Sequence, residues 1–103
     1  MIIKYDAVTT DEAEKIIVDN IYKIGKIKYV KHTKKPKKVE YVTTFVGEDD
    51  TIELVGGLTS GYVGTGPNGF LRVLESLGLE KQKAIDFVHK HNDEENHEFI
   101  IEF

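Results

Sequence analysis

Apolar and polar residues alternate along most of residues 26–55. At residue 56 that pattern gives way to GGLTSGYVGTGPNGF, a fifteen-residue stretch with six of the chain's nine glycines. Alternation marks strands half-buried in a sheet, whereas glycine-dense backbone can pass very close to other backbone. A chain with this break folds as consecutive strands followed by a crossing segment that leads into something else.

The surrounding periodicities supply the remaining elements. Residues 1–8 (MIIKYDAV) read as a strand, and residues 9–25 as a helix opened by a Thr9–Glu12 capping box and closed at Gly25. Ala13, Ile16, Ile17, Ile21 and Ile24 line its apolar face. Residues 26–32, 39–46 and 51–57 read as strands of an antiparallel meander, with turns at 33–38 and 47–50. Beyond the glycines, residues 67–78 form a helix with Pro67 at its first position, and residues 80–91 form another with Ala84, Ile85 and Val88 inward. Residues 97–103 close the chain as a strand with Phe99, Ile101 and Phe103 on one face. The order β-α-β-β-β-α-α-β defines a single α+β domain over residues 1–103, with a largely antiparallel sheet and helices on one face.

Composition narrows the function classes. The chain has 103 residues, enough for one domain with its own core. It has no cysteine, which excludes a disulfide scaffold, a thiol nucleophile and a zinc–thiolate site. No apolar stretch reaches membrane-spanning length and the N-terminus has no secretory pattern, so a cytoplasmic protein without a membrane partner is expected. Net charge is −4, which disfavours a dedicated nucleic-acid binder. Thirteen of its fourteen basic residues are lysine, a bias that fits an AT-rich bacterial or phage genome.

The glycine run supplies the leading functional expectation. Free amides and the positive end of a helix dipole attract anions, and glycines ahead of a helix let a phosphate approach the backbone. Gly64, Gly66 and Gly69 spell G-x-G-x-x-G, but the preceding meander is the wrong context for a dinucleotide fold, and Gly-Lys-Ser/Thr is absent. The candidate ligand-binding set is Thr59, Ser60, Gly61, Tyr62, Gly64, Thr65, Gly66, Asn68, Gly69 and Arg72. Hydroxyls and amides would hold an anionic, nucleotide-like small molecule, Tyr62 would stack on its ring, and the sole arginine would pair its charge. The competing reading is close backbone packing, in which Thr59 and Thr65 cap and Tyr62 covers a core edge.

Other constellations are weaker. Residues 23–38 carry eight lysines and no acid, which reads as a solvated strand and turn more readily than a phosphodiester track. His89 and His91 are two apart on an expected helix and face different ways, so no metal site is expected among His89, His91, His97 and the acids of 93–98. Ser60 does not sit in a G-x-S-x-G elbow and has no evident histidine partner; His32 lies in the lysine-rich hairpin. No catalytic set and no cofactor are therefore expected. The reading is a non-enzymatic binder that forms a homo-oligomer, with a protein-interaction or self-association module, or a nucleotide hydrolase or transferase, as the alternatives.

Overall fold

Thr9 sets the start of the first helix through the expected cap, its Oγ1 accepting from the Glu12 amide at 3.1 Å, which satisfies one of the free donors there. The computed structural model describes residues 1–7 and 9–103; Val8, at the end of the first expected strand, lies outside them. From this cap α1 (Thr10–Asn20) buries Ala13 and Ile17. The expected helix through residue 25 instead tightens into a 3-10 turn at Ile21–Ile24. Asn20 Nδ2 donates to the Ile16 carbonyl at 2.7 Å at this point, and 3-10 turns are frequent at helix ends.

The strands are β1 (Ile2–Asp6), β2 (Ile27–Lys35), β3 (Glu40–Gly47), β4 (Thr51–Val55) and β5 (His97–Glu102). β2, β3 and β4 form the expected meander, β5 adds antiparallel to β2, and β1 adds parallel to β4. The sheet order is β1-β4-β3-β2-β5. The fold is thus the expected α+β domain with the expected element order, on a mixed sheet whose one parallel pairing joins β1 to β4.

Several boundaries move, the expected helix over 80–91 shortening to Lys81–Val88 among them, and two further moves matter for the end of the sheet. β2 continues through Lys35, where the sequence suggested a turn from 33; the turn is a 3-10 segment at Pro36–Lys38, closed by Val39 at φ 53°. The longer strand keeps its alternation, so Lys34 points inward with Val30 and His32. α2 (Thr65–Ser76) begins two residues ahead of Pro67, which becomes the third helical residue instead of the first. Pro67 still lies in the opening turn, whose amides have no intrahelical acceptor, so its missing N–H loses no bond.

α2 packs against both α1 and α3 (Lys81–Val88), and the three helices cover one face of the sheet. Val30, Phe45, Ile52, Leu54 and Phe99 meet Ile17, Phe70, Leu74, Ala84 and Val88 there. Phe87 is buried in α3 and Ile85 only half-buried, while Phe103 lies past the end of β5 and is exposed. Burying a side chain such as Phe45 contributes about 1.5–3 kcal/mol, and truncating it to alanine costs about 3–5 kcal/mol. No helix among the described residues is long and apolar enough to cross a membrane.

Candidate functional site

Strand direction gathers the chemistry at one end of the sheet. β1, β2 and β4 finish at the end where β3 and β5 begin. Register then aligns inward side chains in rows across β3, β2 and β5. One row reads Thr43, His32, Phe99, and the row at the end reads Tyr41, Lys34, His97.

The glycine run crosses this end from β4 towards α3. Leu58 enters the core and Ser60 is buried, while Gly56 N–H donates to Tyr41 O at 2.8 Å and Gly61 N–H to Val88 O at 3.0 Å. Close approach accounts for the glycines. At Gly61, where φ is 82°, a Cβ would collide with the His91 carbonyl and fall 2.6 Å from Lys34 Nζ. At Gly69 it would collide with Thr10 on α1. Gly56, Gly57, Gly64 and Gly66 also have neighbours at 3.1 Å or closer to such an atom. Close packing therefore explains the density of glycine, and a binding role has to rest on the space that the run borders.

Two crevices border it. One, of about 310 Å³, is lined by Ala7 and Thr10 after β1, Gly56 and Gly57 after β4, Tyr41 and Val39 on the hairpin, and Thr59, Tyr62 and Gly66. Thr10 and Gly66 belong to the opening turns of α1 and α2, so both helix starts border this space, and the N-cap of α2 is Gly64, which makes no side-chain cap. Val39 is β-branched yet left-handed, a conformation that costs about 1–3 kcal/mol and tends to persist at functional sites. Thr59 Oγ1 and Tyr62 OH lie 2.7 Å apart at the rim. The second crevice, of about 260 Å³, shares Tyr41 and Tyr62 and is lined further by Lys34, Ser60, Gly61, Asn92 and Asp93.

The expected site residues separate accordingly. Thr59, Tyr62 and Gly66 border the first crevice, and Ser60, Gly61 and Tyr62 the second. Thr65 and Asn68 are exposed on the opening turn of α2, Gly64 precedes it, and Gly69 faces α1. Arg72 lies on neither crevice. Its Nε donates to both Glu14 carboxylate oxygens at 3.2 Å and its Nη2 also contacts Glu14, tying α2 to α1.

Sequence reasoning missed two buried groups. His32 Nε2 lies 3.0 Å from Ser60 Oγ and its Nδ1 2.9 Å from Thr43 Oγ1, so Ser60 does have a histidine partner. Burial, then the nearby Lys34 charge, pushes the His32 pKa down to about 3. A neutral imidazole so reluctant to take a proton is a poor general base, and a hydroxyl rather than a carboxylate orients it. The trio satisfies its own polar atoms, and no buried side-chain donor or acceptor is left unpaired among the described residues. Lys34, also enclosed, donates from Nζ to the carbonyls of His91 at 2.5 Å and Asp93 at 3.0 Å. Desolvation lowers its pKa and Asp93 partly opposes that shift.

Lys31 and Lys35 lie on the uncovered face of the sheet. Lys31 pairs with Glu98 at 3.1 Å on the uncovered face. A shallow depression of about 200 Å³ there, between Lys31, Lys35, Glu40 and Glu53, lies over strands whose backbone donors are used in the ladder. Among the described residues it lacks the helix-start amides that border the crevices on the covered face. No protein-family model, curated protein or solved structure matches this chain.

Proposed function

We propose that the protein binds a small anionic, nucleotide-like molecule, without turning it over, in the crevice between the starts of α1 and α2. The observation that carries this reading is that Thr10 and Gly66, from two helix starts, line one space of about 310 Å³. Helix starts present free amides and positive dipole ends, which favour phosphate or carboxylate. Thr59 and Tyr62 add hydroxyls, and the rings of Tyr41 and Tyr62 offer a surface for a base. Arg72 is committed to Glu14, so the anion relies on amides and hydroxyls. The test is thermal shift and calorimetry with inorganic phosphate and with nucleoside mono- and diphosphates. Tyr62→Ala should weaken nucleotides at least about tenfold while sparing inorganic phosphate. The reading fails if neither probe binds the native protein at millimolar concentration.

A second reading, self-association, is favoured by the sheet edges. β1 and β5 are both outer strands, and β5 exposes Ile100 between Glu98 and Glu102. An unpaired edge is a template for another strand. Light scattering tests it: a homo-oligomer that Ile100→Lys dissociates supports the reading, and a monomer at millimolar concentration removes it.

A further inference from the structure

The chain's four histidines include a pair, His91 and His97, on either side of the turn joining α3 to β5. Their rings stack with centroids 3.7 Å apart and planes within 8°. His97 Nε2 lies 2.8 Å from Asp93 Oδ1, and one donor atom from each of His91, Asp93 and His97 lies within 4.8 Å of the other two. An ordinary polar turn explains part of this, because Asp93 Oδ1 also accepts from the Glu95 amide at 3.1 Å. It does not explain two half-buried imidazoles beside that carboxylate, with the Phe99 ring 4.8 Å from His91 on edge.

Lys34 holds the cluster together from beneath. It stands opposite His97 in the β2–β5 register, and its ammonium binds the carbonyls of His91 and Asp93. One buried side chain thus fixes the backbone of two members and sits across the ladder from the third. Lys34 thereby fixes the backbone that carries the donors, a support that a solvated turn does not need, while the side chains still have to turn to meet at one point. Lys34 contributes one positive charge, which Asp93, Glu94 and Glu95 outnumber.

We propose that His91, Asp93 and His97 bind a divalent transition-metal ion of the zinc, cobalt or nickel class. Two imidazoles and one carboxylate suit these ions, and three protein donors leave coordination positions for water. The ion takes the position between Asp93 and His97 Nε2. Without metal His97 Nε2 donates to Asp93, so on binding a neutral ring exchanges its Nε2 proton for one on Nδ1 through solvent, and a protonated ring releases its Nε2 proton to solvent. A lone pair lies in its ring plane and two parallel planes do not meet, so binding turns the rings out of their stack towards one point.

Untagged protein is titrated with Zn²⁺ by calorimetry and with Co²⁺ by visible absorption. One saturating equivalent is expected, with cobalt bands that zinc abolishes. His91→Ala, Asp93→Asn and His97→Ala should each weaken binding at least about tenfold, while His89→Ala changes nothing. Circular dichroism establishes that each variant is folded. Ring-proton resonances of His91 and His97 should shift on addition of Zn²⁺ while those of His32 stay fixed. Absence of saturable binding in the native protein overturns the proposal, as does unchanged affinity in folded His91→Ala and His97→Ala. The outcome is independent of nucleotide binding, which is read without metal.

Discussion

His32 Nε2 lies 3.0 Å from Ser60 Oγ, and this pair joins the middle of the sheet to the glycine run that crosses its end. Lys34 on β2, Thr43 and Tyr41 on β3, Phe70 on α2 and Phe99 on β5 surround the imidazole. That enclosure has a consequence for pH. An unfolded chain protonates His32 near its ordinary pKa of 6.5, while the folded protein resists until about 3. Between those values the unfolded state binds more protons, so stability falls as pH falls, by up to about 1.4 kcal/mol per pH unit. Denaturant unfolding of native protein and His32→Asn at pH 7.5, 6.5 and 5.5 measures the effect. The native curve should decline more steeply than the variant's, and parallel curves would contradict this account of His32.

Lys34→Met tests the other buried group. The methionine fills much of the same volume but leaves the His91 and Asp93 carbonyls without their donor. Water can partly replace the donor at these part-buried carbonyls, so the loss should lie towards the low end of the about 1–3 kcal/mol that an unsatisfied buried acceptor costs, and it should appear in the denaturation midpoint. The change should also be local, with hydrogen exchange rising between α3 and β5 before it rises in β3. Uniform protection across both regions would show that Lys34 does not fasten the turn.

Gly61→Ala should destabilise the fold by about 2 kcal/mol or more. Its φ of 82° disfavours an L side chain, and the new Cβ would meet the His91 carbonyl and Lys34 Nζ together. Gly78, also at positive φ with nothing within 4 Å of such a Cβ, isolates the backbone cost alone. Gly78→Ala should therefore cost less than Gly61→Ala in the same unfolding assay. Equal losses would mean that the crossing at Gly61 is not tight.

What could be read from the chain depended on how locally each feature is encoded. The Thr9–Glu12 cap spans four residues and stands where the pattern put it. The meander follows from alternation, and the glycines already suggested close packing as one reading. His32 and Ser60 lie 28 residues apart and meet only through β2 register and the path of the glycine run, so neither local segment records the pairing. Lys34 sat in what resembled a turn; only three more residues of alternation make it an inward strand residue. Residues 33–35 read TKK, with no apolar residue to continue the alternation, so nothing in the sequence marks Lys34 as turning inward. The expected helix over residues 80–91 sets His89 and His91 on different sides and gives no reason to bring His91 against His97. That helix ends at Val88, which frees His91 to turn back towards β5.

Arg72 gives the clearest test of charge against context. As the sole arginine beside a glycine-rich helix start, it was the expected partner for an anion. In the fold its guanidinium bridges α2 to Glu14 on α1, with more than half of its side chain exposed. Solvent screens such a pair and its net worth is about 0.2–1 kcal/mol. Arg72→Ala should shift the unfolding midpoint only slightly, and a double-mutant cycle with Glu14→Ala should return a coupling inside that range. If the crevice between Thr10 and Gly66 holds phosphate through amides and hydroxyls, Arg72→Ala should leave phosphate affinity within about twofold of native. A larger loss, with the fold intact, would mean that the guanidinium leaves Glu14 for the ligand, and would return Arg72 to the site.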